Sequence, residues 1–206
     1  MASVVSICNL ALSNIGKDNI SDLSEASAEA RACNQFYAQT RDLLLQSFHW
    51  SAAGKTASLP EVMNDKPGAW KFAYNRPADC LKVRWIRPQY VADPNSDLFD
   101  CLPLGREDQF PYEIEGGTIY CNLSPCLLRY TFRLTDPAKF SPLFVEALAW
   151  HLTVRLAMPL TRDAKVRSDA MAIARSTQAT AEAADSGEVT TRYDIVSEFV
   201  AVRDHG

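Results

Sequence analysis

One apolar stretch, residues 141–158, constrains the fold of this chain more than any other segment. It opens with Ser141, which can cap a helix, and with Pro142, whose missing N–H costs nothing at the first helical position. Only Glu146 and Arg155 are charged. Two neighbouring stripes recur at helical spacing, formed by Leu143, Ala147, Trp150, Val154 and Met158 and by Phe144, Leu148, His151 and Leu152. The pattern predicts a helix that is buried on most of its circumference.

The length of this helix would by itself suit a membrane span, since eighteen helical residues reach about 27 Å. Its polar residues argue against insertion. Glu146, His151 and Arg155 lie too centrally, and a charge at the bilayer centre costs roughly 2.5 kcal/mol or more. We therefore expect a central packing helix and no membrane partner.

The composition is that of an ordinary globular protein. The 206 residues are 47% hydrophobic and 22% charged, which is enough for one domain or for a core with a satellite. The net charge is −4 and no lysine or arginine block is present, so tight DNA binding is not expected. The six cysteines follow an N-terminus without a secretory signal, which predicts a cytosolic chain with reduced thiols. Cys8 and Cys33 are expected to be small core residues.

Two helices are predicted before the β-rich region. Residues 2–15 form the first, and Gly16 stops it. The second begins near Ser24 or Ser27 and ends near Phe48. Its predicted buried stripe comprises Cys33, Phe36, Tyr37, Thr40, Leu43, Leu44 and Ser47, with Glu29, Arg31, Gln39, Arg41 and Asp42 mostly outside.

A fourth helix is predicted after the central one. Pro159 and Thr161 should break and restart the chain, and the helix should run to about Ala184 before Ser186 and Gly187 end it. Its predicted inner residues are Val166, Ala170, Ile173, Thr177, Ala181 and Ala184. Because these side chains are mostly small, they allow a close approach between helices.

Between residues 50 and 134 the prolines cluster and the apolar runs are short, which is typical of strands. Strands are predicted at 70–74, 81–86, 112–115, 118–121 and 127–134. Gly116 and Gly117 form a two-glycine hairpin turn, where φ > 0 is available at both positions. In the last strand, one buried face is predicted because Leu128, Tyr130, Phe132 and Leu134 alternate with Arg129, Thr131 and Arg133.

Together these elements predict an α+β fold with a helical bundle of four main helices. The bundle comprises residues 1–49 and 137–186, and a β-rich insertion, residues 50–136, lies between helices 2 and 3. A C-terminal arm follows at residues 187–206. Since the arm is apolar and lies beyond a finished helical core, we expect it to pack on a neighbouring subunit.

Short motifs of packing residues follow one another in a distinctive order. They are Asn9-x-Ala11-Leu12, Ile15-Gly16, Ile20 with Leu23, an acidic turn before an alanine-rich helix that ends in Trp50, the group Trp70, Tyr74, Pro77, Asp79, Cys80 and Leu81, and the late helix pair. In this order, and over most of its length, the chain resembles the tail tubular protein A family. These proteins are the head-to-tail adaptors of T7-like, short-tailed phages. The chain departs from the family at its end, where SEFVAVRDHG replaces the usual tryptophans and prolines.

The resemblance implies a structural virion protein that forms a ring, usually of twelve copies, between the portal protein and the tubular nozzle (tubular protein B type) of the tail. In the family, DNA passes through the channel during ejection, and tail fibres often attach near the nozzle junction. The chain would then reside in the host cytoplasm during assembly and in the virion tail afterwards. A net acidic subunit suits a channel that should not hold DNA, because each neutralised phosphate strengthens binding.

The predicted partner interface lies in three places. The arm contributes Tyr193, Ile195, Phe199 and Val200, the hairpin tip contributes Gly116 and Gly117, and the loop at residues 93–99 contributes Asp97 and Phe99. Our hypothesis is that the arm contacts the portal or a neighbouring subunit while the β insertion faces the nozzle.

An enzymatic alternative rests on Glu113 and Glu115. In a strand both would point to the same face about 7 Å apart, a geometry that a two-carboxylate glycan hydrolase could use. Strand edges carry such pairs routinely, so a structural role is the favoured interpretation. The adaptor of a long-tailed phage is a third interpretation, with a different ring partner.

Other motifs predict no cofactor or metal. Asp93-x-Asn95-x-Asp97 imitates a calcium loop, but Leu98 and Leu104 stand where glycine and glutamate are needed. Cys121 and Cys126, with Cys101 upstream, lack a second pair or histidine at zinc-finger spacing.

The three histidines, His49, His151 and His205, form no recognisable Ser-His-Asp set. His151 is expected to be a satisfied core histidine. His49 lies at a helix end, where its protonated form would interact favourably with the helix dipole. Glu146 and Arg155 are each expected to pair with a charge on another helix or subunit. We therefore assign no catalytic, cofactor-binding or metal-binding residues, and expect the chain not to be an enzyme.

Overall fold

A computed structural model describes residues 2–89 and 110–188, and in these ranges the chain has the predicted α+β fold. The helices are α1 Val4–Ser13, α2 Ala28–Ser47, α3 Pro142–Thr161 and α4 Ala164–Glu188. The strands are β1 Gly54–Ser58, β2 Glu61–Val62, β3 Phe72–Asn75, β4 Cys80–Pro88, β5 Tyr112–Glu115, β6 Thr118–Cys121 and β7 Cys126–Phe132. The predicted arm lies outside the described residues from position 189 onward.

Serine side chains begin three of the helices. Ser3 forms a capping box with Ser6 in front of α1. Ser27 accepts a hydrogen bond from the backbone N–H of Ala30 at 3.1 Å, and Ser141 accepts one from Phe144 at 3.2 Å. Each hydroxyl satisfies a backbone donor that has no partner within the helix. After α1, Gly16 adopts φ +66°, a left-handed conformation that glycine takes without strain and that ends the helix as predicted.

The helix α3 packs against α1, α2 and α4 and so lies at the centre of the bundle. Its core-facing residues are Phe144, Ala147, Leu148, Ala149, Leu152, Thr153, Leu156 and Ala157. The predicted burial on most of the circumference holds between Ala147 and Ala157, where no residue is exposed. The prediction was wrong for Leu143 and Met158 near the two ends, which are 41% and 40% exposed. A helix that is apolar all round does not reveal which arc faces the core.

The predicted break at Pro159 was also wrong. The helix α3 continues to Thr161 and ends where Arg162 adopts φ +57°. A proline in the last turn removes only the donor of one helical hydrogen bond, so the helix tolerates it there.

The helix α2 is rotated relative to the prediction. Leu43, predicted to be buried, is 52% exposed, whereas Leu45 is buried. Arg41, predicted to lie outside, is only 8% exposed and binds Asp42 with N–O distances of 2.6 and 2.9 Å. Arg133 donates to the other oxygen of Asp42 at 2.9 Å. The predicted stripe was therefore one helical position out of phase at its C-terminal end, where Ser47 is also exposed.

The helix α4 packs mainly on α3. Its buried residues are Ala170, Ala174 and Ala181, whereas Ile173 and Ala184, predicted to be inside, are exposed. The alanines permit the close helix approach that the sequence predicted. Gly187 lies within the last turn rather than after it.

The insertion contains two antiparallel sheets, with strand orders β1-β7-β4 and β2-β3-β6-β5. All five predicted strands are confirmed within two residues at each end, but β1 and β2 were not predicted. At the β5–β6 turn only Gly116 has positive φ, +57°, so the expectation of φ > 0 at both glycines was half right. In β7, Leu128 and Tyr130 face a second hydrophobic core, and Thr131 is buried on the opposite face.

Trp50 joins the bundle to the insertion and is 2% exposed. Its indole N–H donates to the carbonyl of Leu44 at 2.7 Å, and its ring lies edge-on to Phe144 at a centroid distance of 4.9 Å. Its own carbonyl accepts from Arg84 of β4 at 2.6 Å. The next residue, Ser51, donates to Asp185 of α4 through its backbone N–H and its hydroxyl. One short segment thus connects three helices and a sheet.

The orientation of α2, with Leu44 buried and Leu43 exposed, can be tested by substitution. Leu44→Ala should lower the free energy of unfolding by about 2–5 kcal/mol, because it empties a buried site. Leu43→Ala, with the same change in helix propensity, should lower it by less than about 0.5 kcal/mol. Urea unfolding followed by circular dichroism measures both. Equal losses would contradict the orientation described here.

Candidate interaction site

Two of the predicted interface residues lie in the described part of the chain. Gly116 and Gly117 form the tip of the β5–β6 hairpin. The others, Asp97, Phe99, Tyr193, Ile195, Phe199 and Val200, lie outside the described residues. So do His205, Cys101 and the Asp93-to-Asp97 motif.

Apolar side chains are uncovered on the four-stranded sheet that carries this tip. Met63 is 91% exposed, Ile114 is 39% exposed and Val62 is 38% exposed. Val62 belongs to β2 and Ile114 to β5, which are the two edge strands of that sheet. Within residues 50–89 and 110–136, the insertion therefore offers a partner both apolar contacts and unpaired strand edges.

Glu113 and Glu115 share one face of β5, as the sequence predicted, because both bind Lys66. The Lys66 ammonium is 2.7 Å from Glu113 and also forms an ion pair with Glu115. The indole N–H of Trp70 donates to the second oxygen of Glu113 at 2.7 Å. The ammonium also lies over the ring of Tyr120, 4.9 Å from its centroid.

This arrangement does not suit a two-carboxylate hydrolase. The hydrogen bonds from Lys66 and Trp70 lower the pKa of Glu113 below its usual value of 4.5. A general acid needs a raised pKa so that it is protonated near neutral pH. Since one cation holds both carboxylates, the pair serves to fix the hairpin.

A groove of about 500 Å³ opens between α2 and α4, with α3 as its floor. Its apolar lining comprises Phe36, Val154, Met158 and Met171. Both methionines are more than a third exposed. A second hollow of about 220 Å³ shares His151 and Arg155 with the groove and extends to the exposed Leu43. Uncovered Met and Leu side chains in a concave surface are typical of a protein-binding site.

The polar lining of the groove is basic. It contains Arg155, Arg167 and Arg175 but no carboxylate. Within residues 2–89 and 110–188, none of the three guanidinium groups forms an ion pair. Glu146, the other charge on α3, is exposed and accepts a hydrogen bond from Trp150 at 2.8 Å. The predicted partners of Arg155 and Glu146 on other helices are thus not found in the described residues.

His151 lies where the groove and the hollow meet. Its Nε2 is 2.7 Å from the side-chain oxygen of Gln178, and Gln178 in turn donates to Ser47 of α2 at 3.2 Å. Burial lowers the pKa of His151, and the neighbouring Arg155 lowers it further. The prediction of a satisfied core histidine is confirmed for the hydrogen bond but not for the core, because His151 is only half-buried and lines the groove. His49 follows α2 and is exposed.

The described cysteines are buried free thiols. Cys8 on α1 and Cys33 on α2 belong to the bundle core, as predicted, while Cys121 and Cys126 belong to the core of the insertion. Each of these two pairs is in side-chain contact, which raises the pKa of Cys8 and of Cys126. Among the described residues, no group of three potential metal ligands is found.

The chain matches neither a family model nor a curated protein sequence.

Sequence reasoning missed the basic groove, although a signal was present. Arg167, Met171 and Arg175 are spaced four residues apart, which places them on one face of α4. The groove also needs Leu43 and Met158 to be exposed, and the sequence predicted both to be buried. Lys66 was missed because nothing in its local sequence links it to β5, which lies more than forty residues away.

Removing Lys66 should change the titration of Glu113. In Lys66→Met, the pKa of Glu113 should rise toward 4.5, its usual value, because the largest cause of its lowered pKa is removed. Carboxyl chemical shifts followed by NMR against pH would measure this. Lys71→Met, at a neighbouring exposed lysine, is the matched control. An unchanged Glu113 pKa in Lys66→Met would contradict the geometry.

His151 should make stability depend on pH. Because its folded-state pKa is lowered from 6.5, the unfolded chain binds more protons below that pH, and stability falls as the pH drops. The difference in urea midpoint between about pH 7.5 and about pH 5.5 should therefore be smaller in His151→Gln than in the parent chain. Glutamine cannot protonate but keeps a polar contact with Gln178. An identical pH dependence would refute the assignment.

Proposed function

We propose that this chain is a head-to-tail adaptor of the tail tubular protein A type from a short-tailed phage. It multiplies into a ring, of about twelve copies by the family resemblance, between the portal protein and the tail nozzle. The DNA passes through the channel of the ring without specific binding. The work of such a protein is done by its interfaces, so the proposal assigns no catalytic residue.

The observation that carries this proposal is the presence of two separate surfaces that residues 2–89 and 110–188 leave uncovered. One is the basic apolar groove on the helices, and the other is the exposed apolar group Val62, Met63 and Ile114 on the insertion. A subunit of a closed ring that joins two other proteins must present several separate surfaces, to its neighbours in the ring and to the proteins above and below it.

The order of elements also supports the proposal. Two helices, a β insertion and two further helices follow each other as in the resemblance, and its marker residue Trp50 occupies the junction. The net charge of −4 favours a channel that releases DNA. The hydrolase alternative gains no support, because its two carboxylates bind Lys66.

The first experiment is to measure the molar mass of the purified chain by light scattering, alone and mixed with the portal protein of the same phage. We expect a ring-sized complex with the portal. A ring that forms without the portal also agrees with the proposal and makes self-association the driving step. A chain that stays monomeric in both samples would overturn it.

Two variants extend this test. Deletion of residues 189–206 should weaken the portal complex or the ring, because the arm is proposed to contact the portal or a neighbour.

Ile114→Asp should leave the portal complex intact but weaken binding of the nozzle protein, because the insertion is proposed to face the nozzle. Nozzle binding that Ile114→Asp leaves unchanged would refute that orientation.

A further inference from the structure

We propose that the groove between α2 and α4 binds residues 193–200 of the same chain. These residues, YDIVSEFV, belong to the C-terminal segment that follows α4. The inference concerns the isolated chain and does not depend on the adaptor proposal.

The apolar chemistry of the two surfaces matches. The groove exposes Met158 and Met171 beside Phe36 and Val154. In an extended segment, Tyr193, Ile195 and Phe199 share one face, because side chains alternate along such a backbone. Methionine side chains adapt readily to aromatic partners. Docking would remove apolar surface from water on both sides.

The charges also match. Residues 193–200 carry Asp194 and Glu198 and no lysine or arginine. The groove carries Arg155, Arg167 and Arg175 and no carboxylate. Arg175 makes only a 3.7 Å contact with the Met171 sulfur among its described hydrogen bonds. Three guanidinium groups at one concave surface repel each other, and an acidic segment relieves this repulsion.

The segment has the right length to reach the groove. Helix α4 ends at Glu188, and Arg175 and Arg167 lie about 20 and 32 Å back along its axis. An extended chain that turns back at residue 189 places residues 193–200 about 17–40 Å from that end. The two intervals overlap over the whole basic part of the groove.

The same chain is favoured over a second copy as the source of the segment. A short tether gives the segment an effective concentration in the millimolar range at its own groove. A nucleic acid would use the arginines but would leave the apolar floor without a partner. In the isolated chain, residues 193–200 therefore cover a surface that would otherwise bind other molecules, and any partner must first displace them.

The test is photo-crosslinking in the full chain. Phe199 is replaced by a benzophenone-bearing phenylalanine analogue, which reacts preferentially with nearby methionine. The chain has four methionines, of which Met158 and Met171 line the groove and Met63 is 91% exposed on the insertion. We expect intramolecular products at Met158 or Met171, identified by mass spectrometry at the mass of a single chain. Met63 serves as the internal control for unspecific reaction.

Charge reversal makes the test specific. In the triple variant Arg155→Glu, Arg167→Glu, Arg175→Glu, the yield at the groove methionines should fall roughly ten-fold, because the attraction between the three guanidinium groups and the two carboxylates of the segment becomes repulsion. Arg31→Glu, at an exposed position of α2 outside the groove lining, should leave the yield unchanged. Circular dichroism confirms that both variants are folded.

Three results would overturn the inference. These are products mainly at Met63, a groove yield that does not respond to charge reversal, and products only between two chains. The last result would place the segment on a second copy. None of these outcomes depends on whether a ring forms with the portal.

Discussion

The hydrogen bonds of Trp50 are the constraint on which the rest of the structure depends. A large buried indole needs a partner for its N–H, and here the carbonyl of Leu44 near the end of α2 provides it. Once the ring is fixed against Phe144, the backbone at residues 50 and 51 is aligned with Arg84 of β4 and Asp185 of α4. Elements more than a hundred residues apart in sequence are thereby brought to one point, and the two hydrophobic cores can form on either side of it.

Burial around Trp50 and Ser51, the junction between the bundle and the insertion, changes the pKa of a neighbouring arginine. Burial lowers the pKa of Arg84 to about 10, and the neighbouring Arg129 contributes to the shift. The guanidinium group stays charged at neutral pH and keeps its bonds to Trp50 and to Thr131. Thr131, which strand alternation predicted to face solvent, is fully buried and accepts a hydrogen bond from this arginine at 3.0 Å. The burial of Thr131, an exception to the alternation of β7, therefore belongs to the junction around Trp50.

The sequence allowed most of the architecture to be predicted, because helix caps, turn glycines and apolar spacing are local signals. Ser27, Ser141, Gly16 and the 112–121 hairpin were placed well for this reason. The orientation of α2 and α3 was predicted less well, since Leu43 and Met158 can be assigned to the core or the surface only when the neighbouring helices are known. The groove depends on these orientations. The sequence shows the three arginines, but it does not predict that they line the same groove.

The ion pairs of Lys66 have a consequence for any molecule that meets the insertion. Because one ammonium holds Glu113 and Glu115, and Trp70 and Tyr120 surround it, the edge strand β5 is already ordered before contact. A partner at the Gly116–Gly117 tip would therefore not have to supply the free energy of ordering the strand. Even a small contact area there could give measurable affinity, and its strength would decrease with salt as the ion pairs that stiffen the strand are screened.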